Sequence, residues 1–356
     1  MTSDQAKEPR ELPNARCRSP QRFSWAELPQ SELLDVRLCD LGLTIEGTWL
    51  EQRIERLYGE LAERGLCLRP HCWLSEEWFS PAGIPGVALP FYLAHPRLLR
   101  LERTQMREVE GGTMTSCLRL LRHETGHAFQ HAYGLARRPA WQKIFGRAST
   151  PYPTAYRPNP ASKRYVQHLE GWYAQAHPAE DFAETFAVWL QPHGNWRKRY
   201  AGWPALKKLQ YVDGLMRALA DVTPPHRSRC TPYSLAVTRT TLGDYYERKR
   251  AHYKTGSTTS YDRDLLNLFG RQQGVGGERA AAFLRRQRLT IRTMVTRWAT
   301  DYQFTVDRVF KEMLERSHEL GLVARGSDRR LTVEFAILLT VHSMHYLHRV
   351  REWHAM

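Results

Sequence analysis

Residues 115–133 read Thr-Ser-Cys-Leu-Arg-Leu-Leu-Arg-His-Glu-Thr-Gly-His-Ala-Phe-Gln-His-Ala-Tyr. Leu118, Leu121, Ala128, Phe129 and Ala132 recur at helical intervals, which predicts an amphipathic helix with an apolar face turned inward. Gly134 supplies its stop. Inside the helix lies His123-Glu124-Thr125-Gly126-His127, an H-E-x-x-H sequence. Residues four apart share a helix face, so both imidazoles can aim at one ion. Zinc suits imidazole nitrogen, and Glu124 is placed to take a proton from water at such an ion. The chemistry requires a helix, and the apolar spacing supplies one independently. Two surface histidines flanking a solvated glutamate is the bland alternative.

Two imidazoles leave a hydrolytic metal site one protein ligand short. Metzincin spacing would place a third histidine six positions after His127, but that residue is Tyr133. His131 lies too far along the helix axis from His123 to share an ion with both. A second helix is predicted over Pro178–Leu190: proline suits its first position, Glu180 and Asp181 suit its N-terminal dipole, and Pro192 follows its end. Glu180 and Glu184 share a face of it. An acidic first turn can serve the dipole alone. Here Phe182, Ala183, Phe186 and Trp189 point to a buried helix, and a buried carboxylate needs a partner. The pair is therefore the candidate source of the third ligand.

Around these helices, residues 1–30 read as a polar lead-in and Leu33–Ile45 has strand-like spacing. Thr48–Arg64 reads as a helix and Leu66–Leu74 as a strand. Val87–Leu93, interrupted by Pro90, suits an edge strand, and Pro96–Glu102 suits a further strand. Residues 135–163 read as a long irregular loop. Helix follows from Trp196 to Ala220 and again at about 236–253, 278–299, 303–320 and 330–350. This order predicts an α+β fold: a catalytic domain over 31–222, a break at Thr223-Pro224-Pro225, and a mainly helical region over 223–356.

The 356 residues carry a net charge of +15, and from Pro225 onward 23 Lys and Arg face 13 Asp and Glu. A basic region of that kind can meet nucleic acid or an acidic partner. Arginines on solvated helix faces explain it equally well, and no aromatic-and-basic nucleic-acid module is visible. Six cysteines form no C-x-x-C pair, and Cys67 and Cys72 around His71 make a poor zinc site. Met1–Arg22 lacks an apolar leader core, and no stretch reaches ~18 apolar residues. The expectation is no membrane span and a cytoplasmic protein with reduced thiols.

His123–His127, followed by Ala179-Glu180-Asp181-Phe182-Ala183-Glu184-Thr185-Phe186, resembles the gluzincin metallopeptidases. It is especially similar to the catalytic domain of anthrax lethal factor and to the bacterial zinc-binding metallopeptidase family. The likeness spans roughly residues 30–220, and its specific part is the two helices and the loop before the second. The spacing of 53 positions from His127 to Glu180 departs from the thermolysin-like pattern and favours the longer-loop type.

The resemblance implies a zincin-like core, a small mixed sheet with the H-E-x-x-H helix. It also implies Zn2+ as cofactor and a peptide or protein substrate. Glu180 would join His123 and His127 on the metal, and Glu184 would orient a ligand histidine. Tyr173, seven positions before Glu180, would assist the transition state beside Glu124. His177 could do the same or simply cap the helix. Gly86–Leu93 would pair with substrate, although Pro90 lacks a donor. The expected function is zinc-dependent peptide hydrolysis with Glu124 as general base. A non-peptidase zinc amidohydrolase and a metal-stabilised interaction module with a basic helical partner-binding region stand as alternatives.

Overall fold

In the computed structural model, residues 23–350 are described, apart from 107–108, 154–155, 157, 255–260, 272–276 and 297–302. The polar lead-in up to residue 22, with Cys17, lies outside them. Trp25, within the expected lead-in, is instead a core residue: its indole donates to the Leu41 carbonyl at 2.9 Å.

Among the described residues a 3-10 turn at Ser24–Glu27 precedes α1 (Gln30–Leu34), and another follows at Leu38–Leu41. The strand expected over Leu33–Ile45 is not formed. The buried residues there are Leu33, Leu38 and Leu41, and the backbone bonds a distant segment: Leu38 N–H to Thr240 O and Leu242 N–H to Val36 O, each 2.9 Å. Then α2 (Trp49–Glu63) starts at Thr48, whose hydroxyl accepts the Leu50 N–H.

Two parallel strands follow, β1 (His71–Ser75) and β2 (Gly86–Pro90), with His71 beside Gly86 and Ser75 beside Pro90. Alternate side chains project from one face of β1, and that face is clamped from outside. His71, Trp73 and Ser75 reach the carbonyls of Cys230, Pro232 and Tyr233. The far side of β2 is also taken: Ala88 N–H donates to Phe79 O at 2.8 Å, an isolated antiparallel bridge. The run expected to be an open edge strand is therefore buried along its length.

A third strand was expected at Pro96–Glu102; the segment is α3 (Pro96–Met106) instead. Leu98, Leu101 and Glu102 are its buried residues, a three-and-four spacing that a helix satisfies and a strand does not. The result is a mostly helical α+β chain whose first sheet, among the described residues, has two strands, β1 and β2.

Next comes α4 (Met114–Ala132), begun by a capping box between Thr113 and Ser116. The loop expected from 135 is shorter than its sequence suggested, because α5 (Pro139–Phe145) forms at its start. Then come α6 (Pro178–Leu190), α7 (Trp196–Arg199) and α8 (Ala205–Ala218). The next helix, α9 (Leu242–Lys254), is tied back by Lys249, whose ammonium lies 3.2 Å from both Glu102 on α3 and Glu77. One hydrophobic cluster joins these elements, running from Trp25 to Tyr246 and including Leu235, Leu242 and Tyr245.

A second cluster, from Tyr261 to Leu339, belongs to α10 (Asp262–Leu268), α11 (Ala280–Thr296), α12 (Gln303–Glu319) and α13 (Asp328–Val350). Among the described residues no helix is long and apolar enough to cross a membrane.

Candidate metal centre

The site is made where α4 and α6 cross. Gly126 permits the approach, since a Cβ there would lie 2.8 Å from the Ala183 Cα. Phe129 and Phe186 continue the contact with ring centroids 5.1 Å apart. On the opposite side, Arg122 makes two 2.7 Å bonds to Glu60 of α2, both side chains buried. The helix bearing the histidines is thus fixed on two sides.

His123, His127 and Glu180 come together, with one possible ligand atom from each lying within 4.8 Å of the others. The two imidazole Nε2 atoms are 3.2 Å apart, and the Glu180 Oε2 is 3.1 Å from each. These three edges form a nearly equilateral triangle. A tetrahedral zinc with ligands at ~2.0–2.1 Å has edges of about 3.3 Å, so the donor set fits that ion in type and in spacing.

Glu184 stands behind the triangle and is fully buried. Its Oε1 accepts the Nδ1–H of His123 at 2.9 Å, and its Oε2 accepts the Leu169 N–H at 2.9 Å. With Nδ1 carrying the proton, the lone pair of His123 Nε2 faces the triangle. Leu169 is held in turn by its neighbour: His168 Nε2 bonds the Arg119 carbonyl at 2.9 Å, and Arg119 donates back to the His168 carbonyl.

The electrostatics of this cluster suit a cation. Burial alone would lift Glu180, but the imidazoles of His127 and His123 outweigh it and hold the carboxyl well below its usual range. Burial likewise opposes the charge on Glu184, and bonds from His123 and the Leu169 N–H prevail. Desolvation works against charge on His123, yet Glu180 and Glu184 raise it well above the ordinary imidazole value. The two buried carboxylates thus favour positive charge beside them.

Glu124 lies at 7% exposure and His127 at 9%, against zero for Glu184, so these two are the more exposed of the buried group. Burial lifts the Glu124 carboxyl, and the two histidines pull it back only in part. Among the described residues nothing donates a hydrogen bond to its side chain. Its carboxylate oxygens are therefore available as acceptors.

Tyr173 packs beside the triangle, its ring centroid 5.6 Å from that of His123. Two successive left-handed residues, Gly171 (φ 75°) and Trp172 (φ 54°), bend the chain just before it. The second of these is costly for a bulky side chain, and such conformations cluster at functional sites. Burial first, then Glu180 and Glu124, keeps the phenol protonated far above neutrality, so it remains a donor.

His177 is the N-cap of α6: its Nδ1 accepts the Ala179 N–H at 3.1 Å and its Nε2 bonds the Thr150 carbonyl at 2.8 Å. Both nitrogens are engaged, and it meets the triangle only through a neighbour. That neighbour, Tyr152, carries no motif and was not singled out in the sequence. Its ring stacks on His177 at 3.7 Å, and its hydroxyl donates to Glu180 Oε1 at 2.9 Å. His131 is not part of the cluster, and the Cys67–His71–Cys72 group forms no metal site among the described residues.

A family model described as "Putative zinc-binding metallo-peptidase" matches residues 99–197, a span that holds both helices of the site. No curated protein and no solved structure matches the chain.

Proposed function

We propose that the chain is a zinc-dependent hydrolase of the gluzincin type, built on a zincin-like core and acting on peptide bonds. The observation that carries this is the triangle of His123 Nε2, His127 Nε2 and Glu180 Oε2 with 3.1–3.2 Å edges. The match to a zinc-binding peptidase family over residues 99–197 supports it. A zinc ion at this site supplies Lewis acidity, which acidifies water and polarises a carbonyl.

The side chains have distinct parts in the reaction. Glu124 takes the proton from the attacking water and passes it to the leaving amine. Tyr173 donates a hydrogen bond to the oxygen that gains charge. Glu184 holds His123 in the tautomer that leaves Nε2 free.

Metal analysis of the purified chain, with Glu124→Gln beside it, tests the proposal. Wild type should hold one zinc per chain, and the variant should keep the zinc and lose hydrolysis. A wild type without zinc overturns the metal centre; a variant that cleaves as well as wild type removes Glu124 from its role.

One observation favours a smaller substrate. The Ala88 N–H is spent on Phe79 and Pro90 has none to give, so an extended peptide finds no free donors on β2 at these positions. A small amide needs no such strand. Comparing peptide libraries with small amides separates the two substrate classes.

A further inference from the structure

The two oxygens of Glu180 have different surroundings. Oε2 faces both ligand imidazoles, whereas Oε1 accepts the Tyr152 hydroxyl at 2.9 Å. Tyr152 is well fixed for a loop residue. Its ring lies on His177 at 3.7 Å with planes 19° apart. His177 cannot turn, because Nδ1 accepts from Ala179 and Nε2 must then donate to the Thr150 carbonyl, two residues before Tyr152. The loop and the start of α6 therefore brace each other, and the brace ends on the oxygen of Glu180 that does not face the histidines.

We propose that Tyr152 is a positioning residue that makes Glu180 a one-oxygen ligand. This rests on the zinc centre proposed above. A carboxylate can bind a metal through one oxygen or two, and a hydrolytic zinc site works with three protein donors and one position open. A second oxygen from Glu180 would fill that position. Glu180 is only 3% exposed, so its Oε1 has little water to turn to. An anionic oxygen buried without a donor moves toward the nearest cation. The Tyr152 hydroxyl supplies the donor and keeps Oε1 away from the ion.

Tyr152→Phe deletes the hydroxyl and keeps the ring on His177. Cobalt(II), loaded in place of zinc, reports coordination number through its visible bands, which weaken as four-coordination gives way to five. The variant should bind one cobalt per chain as tightly as wild type, with a clear loss of band intensity. Identical spectra for variant and wild type overturn the positioning role. So does loss of stoichiometric cobalt from the variant alone, since the hydroxyl would then be a prop for the whole site. If wild type itself takes up no cobalt, the metal centre fails, and the role of Tyr152 goes with it.

Discussion

Replacing Gly126 by alanine sets two effects of opposite sign against each other. Alanine is the better helix former by about 1 kcal/mol, so an uncrowded helix gains stability. At Gly126 the new Cβ would sit 2.8 Å from the Ala183 Cα and 3.1 Å from its carbonyl oxygen. Carbon atoms settle at ~3.5–4.0 Å, so the α6 backbone must retreat by roughly 0.7 Å. Overpacking of this kind costs ~1–3 kcal/mol, which leaves a small net destabilisation.

The proposed metal centre should be more sensitive than the fold. Ala183 lies between Glu180 and Glu184 on α6, so both carboxylates move with it. The 3.1 Å edges from Glu180 to the imidazoles open toward about 3.8 Å, whereas zinc bonds of ~2.0–2.1 Å call for edges near 3.3 Å. Zinc affinity, read by competition with a chelator, should fall by about tenfold or more, the scale on which small displacements around a metal act. Gly59 of α2 and Gly214 of α8 are internal controls, because a Cβ at either meets nothing within 4 Å. Their alanine variants should gain stability and keep zinc. A Gly126→Ala chain that binds zinc as tightly as wild type, and melts higher like the controls, would refute the argument from close helix approach.

Three further outcomes follow from the same geometry. Glu184→Ala strands the His123 Nδ1–H and the Leu169 N–H, and zinc affinity should fall by about 10–100-fold in chelator competition. Arg122→Ala leaves Glu60 buried with only the 3.7 Å contact from Arg56, and denaturant unfolding should show a loss of roughly 3 kcal/mol, the low end for a broken buried pair. Burial pushes His168 from 6.5 down to about 4, so the unfolded chain takes up its proton first as pH falls. Its contribution is complete above pH 6.5 and declines by about 1.4 kcal/mol per unit down to pH 4, where it ends. His168→Gln should flatten that part of the stability profile relative to wild type; an unchanged slope would show that His168 is not responsible.

How much of this was written in the sequence depends on where each residue finds its partners. The α4 and α6 helices were legible because their signals are local: apolar spacing, a proline at the first turn and a stop at the end. Pro178–Leu190 was expected and found with the same bounds. Leu33–Ile45 misled because its alternating apolar residues suit a strand, while its real backbone partners are Thr240 and Leu242. In α3, buried Glu102 is matched by Lys249 from a helix far along the chain, which no window around Glu102 contains. Tyr152 had no signal at all. A tyrosine in a loop is ordinary, and its part depends on a ring stack and one hydroxyl contact made in three dimensions.

The acidic cluster at the start of α6 shows what folding adds to a correct motif. In the sequence Glu180, Asp181 and Glu184 lie within five residues, and Glu180 and Glu184 share a helix face. In the fold Asp181 turns away to Lys208 of α8, 2.5 Å from its ammonium, and so leaves the metal centre. Glu180 and Glu184 converge instead on His123, with Glu124 buried beside them. Three carboxylates then share two imidazoles whose Nε2 atoms face each other at 3.2 Å. At most one proton fits between those nitrogens without repulsion, so protonating the imidazoles cannot answer all three carboxylates. Uncompensated charge in a buried site is costly, and a dication relieves it while using both imidazole lone pairs. The charge balance therefore supports the proposed divalent ion by an argument separate from the H-E-x-x-H pattern, and the three atoms that could hold it are the same.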